Sequence, residues 1–277
     1  MVLLSKGIWK KASNLLCVVS VVFVTALFLF PFFWMFLNSF KRNVDITTYP
    51  PVWIFHPTLE NFKTLFMEQD FVRFCLNSLL VALGATFLAL ASGTLAAYSI
   101  ARFRQQRLSL LALSARIIPY ISFLIPWFIF FSMLHLVDTH ISLILTHTVI
   151  TLPLSTWIMI GFFEDVPREL EDAGRIDGCS NITVFLRITL PLVTPGLVAA
   201  SIFGFIFSWN NFMFALVLAG PNTKTVPLAV FHFISYGSLD WAGLNAAATA
   251  ITLPALIFML FIQKYLVKGL TMTGLKG

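Results

Sequence analysis

Apolar residues run along this chain in long unbroken stretches, and six of those stretches reach membrane-spanning length. They lie near residues 13–37, 75–99, 108–131, 141–163, 192–219 and 246–267. Crossing a hydrocarbon core of roughly 30 Å takes about 20 helical residues. Backbone amides in lipid need partners within their own segment. The pattern therefore predicts one all-α domain, a polytopic integral membrane protein with six transmembrane helices. Alternating segments of barrel type do not occur. The first stretch follows Lys6, Lys10 and Lys11, as in a signal peptide, but it is too long for an h-region and lacks a small-residue cleavage site. It is expected to stay as an anchor.

Composition agrees with the pattern. Hydrophobic residues make up 58% of the 277 and charged residues only 11%, against about 25% charged in a soluble domain. Cys17, Cys75 and Cys179 are scattered and form no CxxC pair, which speaks against a disulfide framework or a thiolate metal site. The net charge of +6 is not gathered into a patch for nucleic acid. Twelve basic residues, among them Arg102, Arg104, Arg107, Arg168, Arg175, Arg187 and Lys264, fall in one set of loops; five, Lys41, Arg42, Lys63, Arg73 and Lys224, fall in the other. The positive-inside rule then puts both termini and the 164–191 loop in the cytoplasm. Trp34, Trp53, Trp127 and Trp241 sit near the expected outer boundaries.

Span two carries Ala85, Ala89, Gly93 and Ala97, and span five Gly196, Ala200, Gly204 and Ser208. Small residues at this spacing let helices approach closely in lipid, either inside this chain or against a second membrane subunit. Pro31, Pro119, Pro126, Pro153, Pro195 and Pro254 interrupt five spans and mark sites of kinking.

The charge is placed unevenly. Six of the twelve acids lie between Glu164 and Asp177. In this loop Asp165 and Pro167 suit a helix start, Glu169, Glu171 and Asp172 suit its first turns, Gly174 and Gly178 interrupt it, and Ser180 suits a second cap ahead of an apolar stripe of Ile182, Phe185, Leu186 and Ile188. A first helix of about seven residues is unstable alone in water, so it must dock. Two surfaces qualify: this protein's own helix ends, or a cytoplasmic partner matched to the charges.

The segment resembles the cytoplasmic loop of permease subunits in ATP-binding-cassette importers, whose pattern is Glu-Ala-Ala, three residues, Gly, nine residues, Ile-x-Leu-Pro. Here Asp172-Ala173-Gly174 is followed by Gly178 and then Ile188-Thr189-Leu190-Pro191, with both spacings kept. Asp replaces Glu at 172, and Gly replaces Ala at 174, which weakens the helix by about 1 kcal/mol. The resemblance extends along most of the chain and favours the carbohydrate-uptake branch, including the smaller permease of maltose-type importers, through "PFFWMFLNSFK", "NSLLVA", "RIIPYISFLIP", "ELEDAGRIDG", "SWNNF" and "GLTMTGLKG".

The resemblance implies a type I importer permease fold in the cell membrane of a prokaryote. It implies a second permease subunit, commonly a different chain, two cytoplasmic ATPase subunits that bind ATP and Mg, and an extracellular solute-binding protein. It assigns ATPase coupling to Glu169, Asp172, Ala173, Gly174, Arg175, Asp177, Gly178, Ile188, Leu190 and Pro191. The chain itself is expected to bind no cofactor and to catalyse nothing. Its nearest approach to a phosphate loop, "GPNTKT" from Gly220, lacks the second Gly before Lys.

For the cargo, "SWNNF" puts Trp209, Asn210 and Asn211 at membrane depth, where polar groups line a path or bond between helices. Arg116, eight residues into span three, either meets an anionic cargo or satisfies carbonyls freed ahead of Pro119. The cargo class is a sugar, with glycerol phosphate or a polyol as the alternative. His56, His135, His140, His147 and His232 form no ligand constellation. No acid lies inside a span, which argues against a proton- or sodium-coupled transporter, and no span carries a pair suited to an embedded enzyme.

Overall fold

A computed structural model describes residues 2–114, 116–235 and 238–273, with side chains over 14–112, 114, 116–230, 233 and 239–257. The side chains of Lys6, Lys10, Lys11, His232, Lys264, Lys268 and every residue of "GLTMTGLKG", Lys276 included, lie outside that set. The described residues are mostly helical. The helices are α1 Val2–Asn38, α2 Asn43–Thr47, α3 Glu60–Met67, α4 Phe71–Arg102, α5 Gln106–Ser114, α6 Leu124–Met133, α7 His140–Glu164, α8 Arg168–Ile176, α9 Asn181–Val184, α10 Leu190–Leu192, α11 Thr194–Trp209, α12 Met213–Leu218, α13 Val226–Ala229 and α14 Trp241–Thr273. A 3₁₀ turn, Tyr120–Phe123, precedes α6, and a π-helical turn, Phe185–Thr189, follows α9. Two-residue strands β1 (Ile234–Ser235) and β2 (Ser238–Leu239) pair antiparallel.

Three helical runs are long and apolar enough to cross a membrane singly: Asn14–Asn38, Phe71–Arg102 and His140–Glu164. They match the first, second and fourth expected spans. Span six falls within the continuous helix α14, whereas spans three and five differ from the expectation. Span three is not one helix: it is split into α5 and α6 around Pro119, which caps the 3₁₀ turn. Span five ends at Trp209 and resumes as α12, and its start is bent by 75° from Asn181–Leu192. Proline position explains the difference only in part. Pro31, Pro153 and Pro254 sit inside continuous helices, whereas Pro119 and Pro195 stand at breaks.

The chain forms two compact units. In one, Met1–Gln69 with Phe233–Ala250, the ammonium of Lys41 lies 4.5 Å from the Trp34 ring centroid and 5.1 Å from that of Phe55. Burial pushes this lysine below its usual range, and Asp45 offsets part of the fall. Asn61 donates to the carbonyls of Ser39 and Lys41 at 2.8 and 2.9 Å.

The other unit, Asp70–His232 with Ile251–Gly277, is built on α4, α7 and α11. Helices α4 and α7 run parallel, since Asn77 meets His140 at their starts and Arg102 meets Phe163 at their ends. The intervening segment must therefore return the chain from one end to the other, although no single helix does so. Helix α11 runs the opposite way, with Gly196 against Phe162 and Ser208 against His147.

Both small-residue stripes face this three-helix core. Ala85, Ala89, Gly93 and Ala97, and Gly196, Ala200, Gly204 and Ser208, are all buried. A Cβ on Gly196 would meet the Phe162 ring at 2.5 Å, and one on Gly93 would meet Thr156 Oγ1 at 3.0 Å. The close approach is thus internal, and it replaces the hydrophobic drive that lipid does not supply.

Candidate functional site

The acidic loop opens where α7 stops. Asp165 is the C-cap of α7, not the start of the next helix, and Pro167 takes the N-cap position of α8. Helix α8 has nine residues and closes in a Schellman motif: Gly178 N donates to Arg175 O and Cys179 N to Gly174 O, with Gly178 at φ +87°. The positive φ is the conformation in which glycine costs least. Ser180 then caps α9 by accepting from Thr183 N, as its sequence context predicts.

Helix α8 has two different faces. Glu171 and Gly174 are buried, while Glu169, Leu170, Asp172, Ala173, Arg175 and Ile176 are exposed, Ile176 at 86%. The buried face docks on this chain. Gly174 lies against Val184 and Ile188, and a Cβ there would collide with the Ile188 δ-methyl. Ile188 and Leu190 are half-buried, and Phe185 joins Phe163, Val166 and Ile100 in the core beneath the loop. Ile182 and Leu186 remain exposed, so the expected stripe divides between two surfaces.

Glu171 is the centre of this docking. Its Oε1 accepts from Arg102 Nε at 2.7 Å and from Thr189 Oγ1 at 2.9 Å. Its Oε2 accepts from Tyr98 Oη at 3.0 Å and from Arg175 Nη2 at 3.4 Å. Arg102 Nη2 is also 2.6 Å from Oε1 but poorly aligned, so it adds charge rather than a directed bond. Arg102 Nη1 donates to Phe163 O and Val166 O, at the end of α7. Arg168 donates to the carbonyls of Ala101 and Arg102, at the end of α4. Removing one partner from a buried ion pair commonly costs about 3–5 kcal/mol. In the sequence Glu171 reads only as one acid among several; the missed signal is its place four residues before Arg175 and on the same face as Gly174.

Asp172, the next residue, points the other way. Its side chain is 64% exposed and pairs with Arg175 at 2.7 Å. Asp177, Gly178 and Pro191 are also exposed. One face of the short helix therefore rests on this chain, the first of the two surfaces expected for it, and the other face is exposed.

The residues expected at membrane depth do not form one constellation. Trp209 is buried and stacks on Phe205 with centroids 5.6 Å apart. Asn210 is exposed and donates to Ile206 O at 2.9 Å, closing α11. Asn211 accepts from Phe214 N at 3.2 Å, opening α12. The α7–α11 hydrogen bond comes instead from His147 Nδ1 and Ser208 Oγ, 2.7 Å apart. Arg116 lies in the turn between α5 and the 3₁₀ segment, exposed, with its guanidinium 5.6 Å from the Phe207 ring centroid. Its expected depth of eight residues presupposed a continuous helix.

At the opposite end of this unit, "GPNTKT" does hold an anion, one from its own chain. Asp138 Oδ1 accepts from the backbone N–H of Gly220, Asn222 and Thr223 at 2.9–3.1 Å and from Thr223 Oγ1 at 2.8 Å; Oδ2 accepts from Asn222 Nδ2 at 2.9 Å. Successive amides aimed at one point form an anion nest. Among the described residues, no group of three or more His, Cys, Asp or Glu could hold a metal.

Residues 89–272 match the family model described as "Binding-protein-dependent transport system inner membrane component". The chain is 35% identical to the sulfoquinovosyl glycerol transport system permease protein SmoH of Agrobacterium fabrum, covering 90% of this chain and 89% of that one. It is 32% identical to the trehalose/maltose transport system permease protein MalG of Thermococcus litoralis, covering 95% and 97%. In fold it resembles a chain of a bacterial ABC transporter involved in import of the acidic polysaccharide alginate, with a TM-score of 0.74, 18% identity, and coverage of 92% of this chain and 96% of that one.

Proposed function

This chain belongs to the family of binding-protein-dependent transport system inner membrane components, and on that premise we propose that it is the permease subunit of a sugar importer driven by a partner ATPase through the exposed face of α8. The permease is a non-catalytic subunit. Its relatives carry sugar-containing cargo by name, and this chain forms half of a path for an oligosaccharide or related carbohydrate. The other half is a second permease subunit. Two ATPase subunits sit on the α8 side, which is cytoplasmic together with both termini, and a solute-binding protein delivers cargo from the other side.

The observation that supports coupling is the division of α8. Leu170, Ala173 and Ile176 stand exposed beside Glu169, Asp172 and Arg175, while Glu171 fastens the reverse side. Apolar anchors give such a contact its affinity, and the surrounding charges set its register. ATP-driven closure of the ATPase pair moves the helix, and rigid-body motion switches the path between its two openings. An Ile176→Cys variant in native membranes is expected to cross-link to a nucleotide-hydrolysing subunit. Absence of that adduct from an assembled, transporting complex would remove the coupling assignment.

On this reading Asn210, exposed at the break between α11 and α12, lines the path, whereas Asn211 caps the start of α12. The two alanine variants should therefore differ. Asn210→Ala is expected to weaken cargo binding by roughly tenfold, as for a lost hydrogen bond worth about 1 kcal/mol or more. Asn211→Ala should leave affinity unchanged and lower stability by about 1 kcal/mol, as for a lost cap. Cargo titration and thermal melting of the purified complex separate the two, and equal affinities for Asn210→Ala and wild type would assign Asn210 to capping alone.

A further inference from the structure

Resting on the coupling role just given to α8, we propose that Glu171 is the positioning residue that makes α8 and the Arg102 end of α4 move as one piece. A nine-residue helix pushed on its exposed face can slide or roll over its support. Apolar packing resists this poorly, because it is non-directional. On the buried face of α8, Gly174 lies against the Val184 and Ile188 side chains. At the start of α8 Arg168 donates to the Ala101 and Arg102 carbonyls, and in its middle the directed restraint comes from the Glu171 carboxylate. The Glu171 side chain is 2% exposed and the Arg102 side chain 10%, so their attraction is little screened by water.

The four donors to Glu171 come from three places in the fold. Tyr98 and Arg102 lie on the last two turns of α4, Thr189 ends the π-helical turn that leads into α11, and Arg175 belongs to α8 itself. Arg102 also grips the last carbonyls of α7. A displacement of α8 therefore pulls on α4, α7 and the start of α11 together. Coupling between distant sites needs an element that both sites bias, and this joint supplies the link from the ATPase-facing surface to the three-helix core. Asp172 differs: among the described residues its ion pair is to Arg175 on the same helix.

The test uses the complete transporter in proteoliposomes, with ATP hydrolysis and uptake measured separately on variants that also carry Ile176→Cys. Glu171→Gln is expected to keep basal ATP hydrolysis and the Ile176→Cys cross-link while uptake per ATP falls at least about fivefold, the lower range of typical coupling energies. Thr189→Val, which leaves the charge pair intact, should lower the same ratio by about twofold, as for a modest hydrogen bond. An unchanged ratio in both variants would overturn the proposal. So would a fall in hydrolysis and uptake in equal proportion, because a merely structural role moves both together. If Glu171→Gln fails to reach the membrane, the ratio measured for Thr189→Val decides. Loss of the cross-link in the otherwise wild-type protein would instead overturn the coupling role of α8 itself.

Discussion

Replacing Gly178 with Asp should reduce uptake more than tenfold while leaving the subunit folded in the membrane. The backbone at Gly178 has φ +87°, and a left-handed residue with a Cβ costs roughly 1–2 kcal/mol. The added carboxylate would also face the C-terminal end of the α8 dipole, at about another 0.3–1 kcal/mol. No atom lies within 4 Å of a Cβ at this position, so the penalty is conformational and local, not a clash that spreads into the core. The Schellman bonds from Gly178 to Arg175 and from Cys179 to Gly174 would loosen, and the end of α8 with Ile176 would turn away from its partner. Labelled-cargo uptake at matched membrane abundance measures the effect. Full uptake in Gly178→Asp would mean that the shape of the α8 terminus is irrelevant to coupling. Gly178→Ala, which adds the strain without the charge, should fall between the two.

Asp138→Ala should lower the stability of the subunit by about 3 kcal/mol, the scale of two charge-assisted hydrogen bonds. The carboxylate holds the 220–223 loop through five bonds of 2.8–3.1 Å. That loop is tied in turn to α4, through Asn77 to the carbonyls of Asn222 and Lys224 and through Ser78 to Val226 N. Burial alone would push the Asp138 carboxyl up, but the combined bonds from Thr223, Asn222 and Gly220 outweigh it and hold it below the ordinary value. A depressed carboxylate contributes stability that is complete above its unfolded value and is lost as pH falls through the folded one. The contribution should therefore be intact at neutral pH and fade only below about pH 3.8. Thermal melting together with protease cutting in 218–226 reads the loss. Asp138→Asn, which keeps an oxygen acceptor, should lose about half as much; melting of Asp138→Ala at the wild-type temperature would mean that other contacts hold the loop.

The first, second and fourth spans were legible because uniform hydropathy and helical hydrogen bonding leave a chain in lipid few alternatives. The third was misread as one helix, since hydropathy averages across Pro119 and does not register the missing amide. Ser180 was legible as a cap because capping is local, whereas Asp165 was assigned to the wrong helix because a cap residue suits either side of a short connection. The nest in "GPNTKT" was invisible: its anion comes from Asp138, more than eighty residues away. The bond between His147 and Ser208 likewise depends on the register of two helices that the pattern treats separately.

By itself the sequence determined the solvent, the helical class and the spacing Asp172–Gly178–Ile188–Pro191, because these depend on composition and on intervals along the chain. It could not distinguish Glu171 from Asp172. Two adjacent carboxylates differ by about 100° of helix rotation, and only the seat of α8 on α4 decides that one is buried among Arg102, Tyr98 and Thr189 while the other stays in water. That choice belongs to the tertiary structure, since a charge can leave water only where partners from distant segments have already been assembled to receive it.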